Sequence, residues 1–168
     1  MHALLARLSG ARVVIVSEVS EARLQQAAAY GVDVLVNPER EDLNRAVMEA
    51  SRGQGASVVI VAAAAPRAQE QALELAGRQG RINFFGGLPK DRPLIQINSN
   101  LIHYKQLVVM GTTGSNVRQY RSTMNLIIQG RVQMGPLVSA RLPLDRLHEG
   151  IERSRTGQEL RIVVEPSG

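Results

Sequence analysis

An acidic residue, Glu18, follows the β-branched run Val13–Val16, which is typical of a parallel strand buried on both faces. Ligands of a doubly wound sheet bind beyond the carboxyl ends of its strands, where a carboxylate can accept hydrogen bonds from both hydroxyls of a ribose. Because the same charge repels a 2′-phosphate, Glu18 favours NAD over NADP. A solvated acid at the start of a turn explains this position equally well. Arg23 could lie over the adenine, pair with Glu18 or be an ordinary surface arginine on a helix.

Small or glycine-rich segments follow the ends of later predicted strands. They are Ala62, Ala63 and Ala64; Phe85, Gly86 and Gly87; and Thr112 and Thr113. The alanines present small side chains that an adenosine could approach, and glycine lets the backbone come close to a flat ligand. Exposed peptide groups in the glycine turns could hold a carboxamide. Ordinary turn glycines and a tight strand–helix join account for these segments equally well.

The composition argues against several classes of site. The 168 residues include no cysteine, which rules out disulfides and thiolate metal sites, and the three histidines are scattered without acidic residues at ligand spacing. The net charge of +5 comes from arginines spread along helix faces, and aromatic residues make up only 3%, so we expect no nucleic-acid partner. No apolar run approaches the roughly 20 residues that span a bilayer, so we expect no membrane partner and a cytoplasmic protein.

Strand patterns alternate with helical patterns along the chain, which favours an α/β fold with a parallel sheet built from βαβ units. The regular alternation weakens near Gly114. The segment Leu94–Ile97 alternates between apolar and polar residues and predicts an edge strand, through which we expect a homo-oligomer to form. No general base is identified, because neither His103 nor His148 has a partner that spacing can establish.

Several stretches carry a family resemblance by their order and spacing. They are Val13–Gly31, Asn37-Pro38, Gly55–Ile60, Gly80–Gly87, Asn100–Lys105, Met110–Thr112, Pro136–Val138 and Leu160–Pro166. Together they resemble the cofactor-binding half of the zinc-type medium-chain dehydrogenases, closest to the polyol (sorbitol or iditol) dehydrogenases, with threonine dehydrogenase nearby. The resemblance implies a Rossmann-like doubly wound parallel sheet. It also implies hydride transfer between NAD and a secondary alcohol that zinc polarises.

The resemblance assigns roles to the candidate residues. Glu18 matches the acidic ligand of the adenosine ribose, and Arg23 matches the basic residue near the adenosine. Ala62–Ala64 match the segment that borders the adenosine. Phe85–Gly87 match the main-chain contacts to the nicotinamide, and Thr112 and Thr113 match the segment that closes over the carboxamide.

The sequence also departs from the family pattern. Family members carry a central first strand with a Gly-x-Gly-x-x-Gly turn and a domain that holds zinc, and neither this motif nor zinc ligands occur in these residues. We therefore expect residues 1–113 to form a truncated dinucleotide-binding domain that begins after that turn and lacks the first, central strand. Residues 114–168 then match the segment that returns to the catalytic domain in the family. Alone, the chain is expected to be inactive and to bind NAD more weakly than about 1 mM, or not at all.

Two other interpretations fit the same pattern. A degenerate, non-enzymatic dehydrogenase module that acts in oligomerisation or binding would show it too. The zinc-free quinone reductases of the same superfamily are a further possibility, and Glu18 argues against them because enzymes that use NADPH normally avoid an acid at this position.

Overall fold

The computed structural model describes residues 1–157 and 159–166. In chain order the helices and strands are α1 (His2–Leu8), β1 (Ile15–Ser17), α2 (Glu21–Ala28), β2 (Val34–Val36), α3 (Leu43–Ala50), β3 (Ala56–Val61), α4 (Pro66–Leu75), β4 (Ala76–Phe84), α5 (Ser99–Lys105), β5 (Val108–Gly111), α6 (Val117–Ile128), β6 (Ala140–Pro143), α7 (Leu147–Arg155) and β7 (Ile162–Glu165). The described residues divide into two compact units, Gly10–Gly114 and a unit of Met1–Ser9 with the chain from Ser115 onward. Within the described ranges, no helix has the length and apolar character needed to cross a membrane.

The strands of Gly10–Gly114 pair in parallel, which confirms the predicted α/β class. β1 pairs with β2, with Ser17 opposite Val36. β3, β4 and β5 form a separate sheet in that order, with Val61 opposite Phe84 and Phe84 opposite Gly111. Because β1 and β3 belong to different sheets, the arrangement is the one expected of a doubly wound sheet that lacks its central strand. Parallel strands end at a common edge, so the segments after β3, β4 and β5 begin side by side.

The two sheets rest on a common apolar core. Leu73 of α4 and Ile82 of β4 are 1% and 0% exposed. Burying a side chain of this size stabilises the fold by roughly 1.5–3 kcal/mol. A neighbouring cluster around Val36 is contacted by Ile15 of β1 and by Val59 of β3, and Val59 also packs against the cluster that contains Leu73. Val59 therefore links the two clusters, although β1 and β3 do not pair with each other.

Helix α4 has a defined start and end. Pro66 occupies its first turn, where no helical hydrogen bond requires its missing N–H. At the other end, Lys105 Nζ donates to the carbonyl oxygens of Leu73, Glu74 and Ala76 at 3.0, 2.9 and 2.8 Å. A cation at a helix C-terminus also interacts favourably with the helix dipole. Lys105 therefore fixes the junction between α4 and β4.

The unit that contains α6 and α7 has a parallel strand pair of its own. β6 pairs with β7, with Leu142 opposite Val164. Helix α6 begins with a capping box, in which Asn116 and Gln119 each accept a backbone N–H from the other. The side chain of Glu159, ahead of β7, accepts a hydrogen bond from the Arg153 guanidinium of α7.

The predicted edge strand at Leu94–Ile97 is wrong for the single chain. This segment is irregular backbone between β4 and α5, and Leu94 is 84% exposed. The backbone N–H of Gln96 donates to the Glu70 carboxylate of α4 at 2.8 Å, rather than to a neighbouring strand. Alternation alone predicts a strand only where another strand lies alongside to complete the ladder.

Candidate functional site

Glu18 lies directly beyond the carboxyl end of β1, as predicted. Its backbone N–H donates to the carbonyl oxygen of Val36 at 3.1 Å, which extends the β1–β2 ladder by one residue. Its carboxylate accepts a hydrogen bond from the Ser20 N–H at 2.9 Å through Oε1. The side chain remains 27% exposed, so a partner from solvent can still reach the carboxylate. The Glu18 carboxylate is thus held by a backbone N–H of its own turn and is still partly exposed to solvent.

Arg23 lies in the first turn of α2 and is paired with Glu18. Its Nη1 lies 3.9 Å from Glu18 Oε2, and its side chain is 49% exposed. Exposed ion pairs at this separation contribute roughly 0–1 kcal/mol, so a ligand could rearrange the pair at little cost. Of the three roles considered for Arg23, the structure shows the ion pair with Glu18.

Asn37 belongs to this site, although in the sequence it is named only as part of the family resemblance and is given no role. It follows β2 directly, is 5% exposed, and its Nδ2 donates to the carbonyl oxygen of Val19 at 3.2 Å. Its Oδ1 accepts the Glu39 N–H, and its own N–H donates to the Glu41 carboxylate, both at 3.1 Å. The amide therefore ties the turn that carries Glu18 to the end of β2. An amide residue immediately after an apolar strand and before a proline was the available signal.

The segments after β3 and β4 are packed tightly against each other. A β-carbon on Gly86 would lie 2.9 Å from the carbonyl oxygen of Ala63 and 3.0 Å from the carbonyl atoms of Ala62. The N–H groups of Phe85 and Gly86 both donate to the carbonyl oxygen of Val61, at 3.0 and 2.8 Å. Only glycine allows this approach without a shift of main-chain atoms. The structure thus brings together the alanine segment and the Phe85–Gly87 turn, as the shared strand edge predicts.

Gln69 of α4 is hydrogen-bonded to the Phe85–Gly87 turn. It lies on α4, is 6% exposed, and its Nε2 donates to the carbonyl oxygen of Gly86 at 3.0 Å. A β-carbon on Gly87 would have no atom within 4 Å, so the outer side of the turn is open. Gln69 precedes the buried Ala72 and Leu73 at helical spacing, which is the signal that could have placed it on the inner face of α4.

The segment after β5 joins the same edge. Thr112 Oγ1 lies 3.2 Å from Nδ2 and 3.3 Å from Oδ1 of Asn83 on β4, and the Thr112 N–H donates to Phe84 at 3.3 Å. Thr113 is exposed. These contacts link the segments after β3, β4 and β5 into one group, whereas Glu18, Arg23 and Asn37 form another at the end of the β1–β2 sheet.

The described residues do not form a metal site. Among residues 1–157 and 159–166, no three His, Cys, Asp or Glu side chains are grouped so that they could hold an ion.

A parallel α/β sheet with an acid beyond one strand and glycine turns beyond the others is the architecture of Rossmann-like cofactor-binding domains. The family pattern described as zinc-binding dehydrogenase matches residues 1–129. The chain belongs to the zinc-binding dehydrogenase family, which confirms the predicted resemblance.

Relatives and solved structures agree with this assignment. L-threonine 3-dehydrogenase of Thermococcus kodakarensis is 36% identical over 163 residues, which are 96% of this chain and 46% of that protein. An alcohol dehydrogenase from Thermotoga maritima has a TM-score of 0.88 at 25% identity, covering 98% of this chain and 46% of its own. A protein described as a zinc-binding dehydrogenase from Sinorhizobium meliloti, solved bound to NADP, has a TM-score of 0.87 at 26% identity. The match covers 98% of this chain and 48% of that protein.

The chain spans about half the length of the curated relatives it matches. The matched part is the C-terminal half of those proteins. The threonine dehydrogenases predicted as a nearby branch are among these relatives.

Proposed function

We propose that Gly10–Gly114 is the nucleotide-binding part of an NAD-dependent zinc-type alcohol or polyol dehydrogenase. The observation that carries this proposal is the strand register, which starts the alanine segment, the Phe85–Gly87 turn and Thr112 side by side at one sheet edge. Ligands of doubly wound sheets bind at this edge. We assign residues 1–113 to a dinucleotide-binding domain, and residues 114–168 to the segment that returns to the catalytic domain in the family. Met1–Ser9 are the exception to these bounds, because they group with the chain from Ser115 onward.

The site residues form two groups, one at the end of the β1–β2 sheet and one after β3, β4 and β5. Together these residues fit the two halves of a dinucleotide. Glu18 offers a carboxylate acceptor for the ribose hydroxyls, and Arg23 is a 49% exposed cation for the adenine. The exposed alanines Ala62–Ala64 leave room for the adenosine. The open outer side of Gly87 exposes main-chain groups to the nicotinamide ring, and the segment at Thr112 and Thr113 would close over its carboxamide. When bound, the nicotinamide ring accepts or gives a hydride, and the protein residues hold its position.

The preference for NAD rests on the charge of Glu18. A 2′-phosphate would meet a carboxylate whose Oε1 is already held by the Ser20 N–H, so the acid cannot turn away freely. The NADP-bound relative shows that the other cofactor is used in this fold, which makes the preference a testable property of this chain.

Zinc does not fit the residues described here, because they contain no group of three metal-ligating side chains. Polarisation of the alcohol is therefore not assigned to any of them. The substrate is expected to be a secondary alcohol, and these residues do not distinguish a polyol from threonine.

The affinity of the chain for NAD is expected to be weak. The sequence contains no Gly-x-Gly-x-x-Gly turn to bind the pyrophosphate at a helix N-terminus. We expect a Kd above about 1 mM and no dehydrogenase activity of this chain alone.

Glu18→Gln tests the proposed cofactor preference. The variant keeps the size of the side chain and removes its charge, so we expect NADP to bind as well as NAD, whereas the unaltered chain prefers NAD. Glu49→Gln is the matched control, since it removes the same charge from a 65% exposed side chain of α3 that belongs to neither group of site residues. An unchanged ratio of the two dissociation constants in Glu18→Gln would contradict the assignment of Glu18 to the ribose.

A second proposal, self-association of a non-enzymatic module, is favoured by the edge strand β5. Its side chains Val108 and Met110 are 49% and 44% exposed, and β5 is the last strand of its sheet. Exposed apolar edge strands readily pair with another chain. A monomeric mass by light scattering at high protein concentration would rule out this proposal.

A further inference from the structure

The buried polar side chains among the described residues are two amides, Asn37 and Gln69, at 5% and 6% exposure. A buried amide must find hydrogen-bond partners, because an unpaired one is strongly destabilising. Each of these amides donates its N–H to the main chain of a turn that follows a strand. One turn carries Glu18, and the other is Phe85–Gly87. Each buried amide is thus hydrogen-bonded to the turn that forms one part of the candidate cofactor site.

Asn37 orients the peptide group between Val19 and Ser20. Its Nδ2 donates to the Val19 carbonyl at 3.2 Å. In a trans peptide the N–H points opposite to the carbonyl, and no cis peptide bond occurs among the described residues. The N–H of this same peptide, that of Ser20, donates to Glu18 Oε1 at 2.9 Å. A continuous chain of two hydrogen bonds therefore runs from the Asn37 amide through one peptide to the Glu18 carboxylate.

Gln69 orients the peptide group between Gly86 and Gly87 in the same way. Its Nε2 binds the Gly86 carbonyl at 3.0 Å from the side of α4. The N–H of Gly87, on the opposite side of that trans peptide, points away from Gln69. A β-carbon on Gly87 would meet no atom within 4 Å, so the space around its α-carbon is open. The Gln69 amide therefore fixes the plane of a peptide whose N–H is directed away from Gln69.

We propose that Asn37 and Gln69 are positioning residues that set the two halves of the cofactor site independently. Asn37 holds the carboxylate of Glu18 for the ribose and so controls discrimination against a 2′-phosphate. Gln69 directs the Gly87 N–H toward the nicotinamide carboxamide and so controls how much the nicotinamide adds to affinity. This inference rests on the proposed function of Gly10–Gly114.

The test uses Asn37→Asp and Gln69→Glu, which replace the donating NH2 group by oxygen at nearly constant size. NMR titrations of the labelled chain with NAD, NADP and ADP-ribose at millimolar concentrations give two ratios, the affinity for NAD over NADP and that for NAD over ADP-ribose. Asn37→Asp should lower the first ratio about tenfold, equivalent to about 1.4 kcal/mol, and leave the second unchanged. Gln69→Glu should lower the second ratio and leave the first unchanged.

Each variant is the control for the other, because a general loss of packing would not change one ratio and leave the other alone. Where a carboxylate prevents folding, Asn37→Ala and Gln69→Ala remove the same donor without adding a charge. The inference is overturned if folded variants keep both ratios, or if each variant changes both, while Glu18→Gln still equalises NAD and NADP. If the unaltered chain responds to none of the ligands, or Glu18→Gln leaves its preference intact, the proposed function fails and this inference fails with it.

Discussion

Replacing Gly86 by alanine tests how closely the turn after β4 is packed against the segment after β3. The added β-carbon would lie 2.9 Å from the carbonyl oxygen of Ala63 and 3.0 Å from two main-chain atoms of Ala62. Favourable contacts between carbon atoms lie at about 3.5–4.0 Å, and these neighbours are main-chain atoms that cannot rotate away. The turn would have to shift, which also disturbs the 3.0 Å bond from Gln69 to the Gly86 carbonyl. We expect the free energy of unfolding to fall by about 1–3 kcal/mol, the usual cost of overpacking.

Gly87→Ala is the matched control, one residue away in the same turn. A β-carbon there meets nothing within 4 Å, and the φ angle of Gly87 is outside the left-handed region. Its effect should stay within about 0.5 kcal/mol. Urea unfolding followed by far-ultraviolet circular dichroism measures both variants against the unaltered chain. The packing argument is refuted if Gly86→Ala is as stable as Gly87→Ala.

Further predictions concern the ends of elements. Lys105→Met removes the cation that contacts three carbonyl oxygens where α4 meets β4, and should cost about 1.5–3 kcal/mol in urea unfolding, whereas Lys90→Met at an exposed turn should cost almost nothing. Hydrogen bonds from Ser139 and Arg153 hold the pKa of Glu159 below its usual value. The resulting stabilisation is fully present above the pKa of Glu159 in the unfolded chain and is lost as the pH falls through its lowered pKa in the folded protein. Thermal unfolding across this acid range should show a smaller loss for Glu159→Gln than for the unaltered chain, and equal losses would contradict the assignment.

The parallel α/β class could be read from the sequence because its strand patterns are apolar runs separated by helical patterns. The runs at Val13–Val16 and Val58–Ala62 are continuously apolar, which leaves few alternatives to βαβ units. Their burial on both faces was not borne out, since Val58 and Ile60 of β3 are 45% and 40% exposed. Leu94–Ile97 shows the limit of such reasoning. Its alternation describes a possible side-chain pattern, whereas a strand also needs a neighbour to accept its backbone hydrogen bonds.

The sequence predicts that the candidate site residues lie at the ends of strands. It does not predict which of these strand ends lie side by side. Glu18, Phe85 and Thr112 each follow a recognisable strand, so their position at the ends of strands follows from local pattern. Which segments begin side by side depends on the pairing of β3 with β4 and of β4 with β5, which local sequence does not encode.

The buried amides depend on still longer-range contacts. Asn37 binds a carbonyl 18 positions earlier in the chain, and Gln69 binds one 17 positions later. Side-chain type alone makes both look like surface residues, because Asn and Gln are mostly exposed in folded proteins. Only the packed structure shows that each one supports a turn of the candidate site.

The most direct test of the central claim is an NMR titration of the uniformly labelled chain with NAD, followed residue by residue. We expect shifts that approach saturation only at NAD concentrations well above about 1 mM. They should fall in two groups, one from Glu18 to Arg23 and one from Phe85 to Gly87, with smaller changes at Thr112 and Thr113. Helix α6 and the β6–β7 pair should not respond. Absence of saturable shifts in both groups, or a response confined to α6 and the β6–β7 pair, would contradict the assignment of Gly10–Gly114 as the nucleotide-binding part.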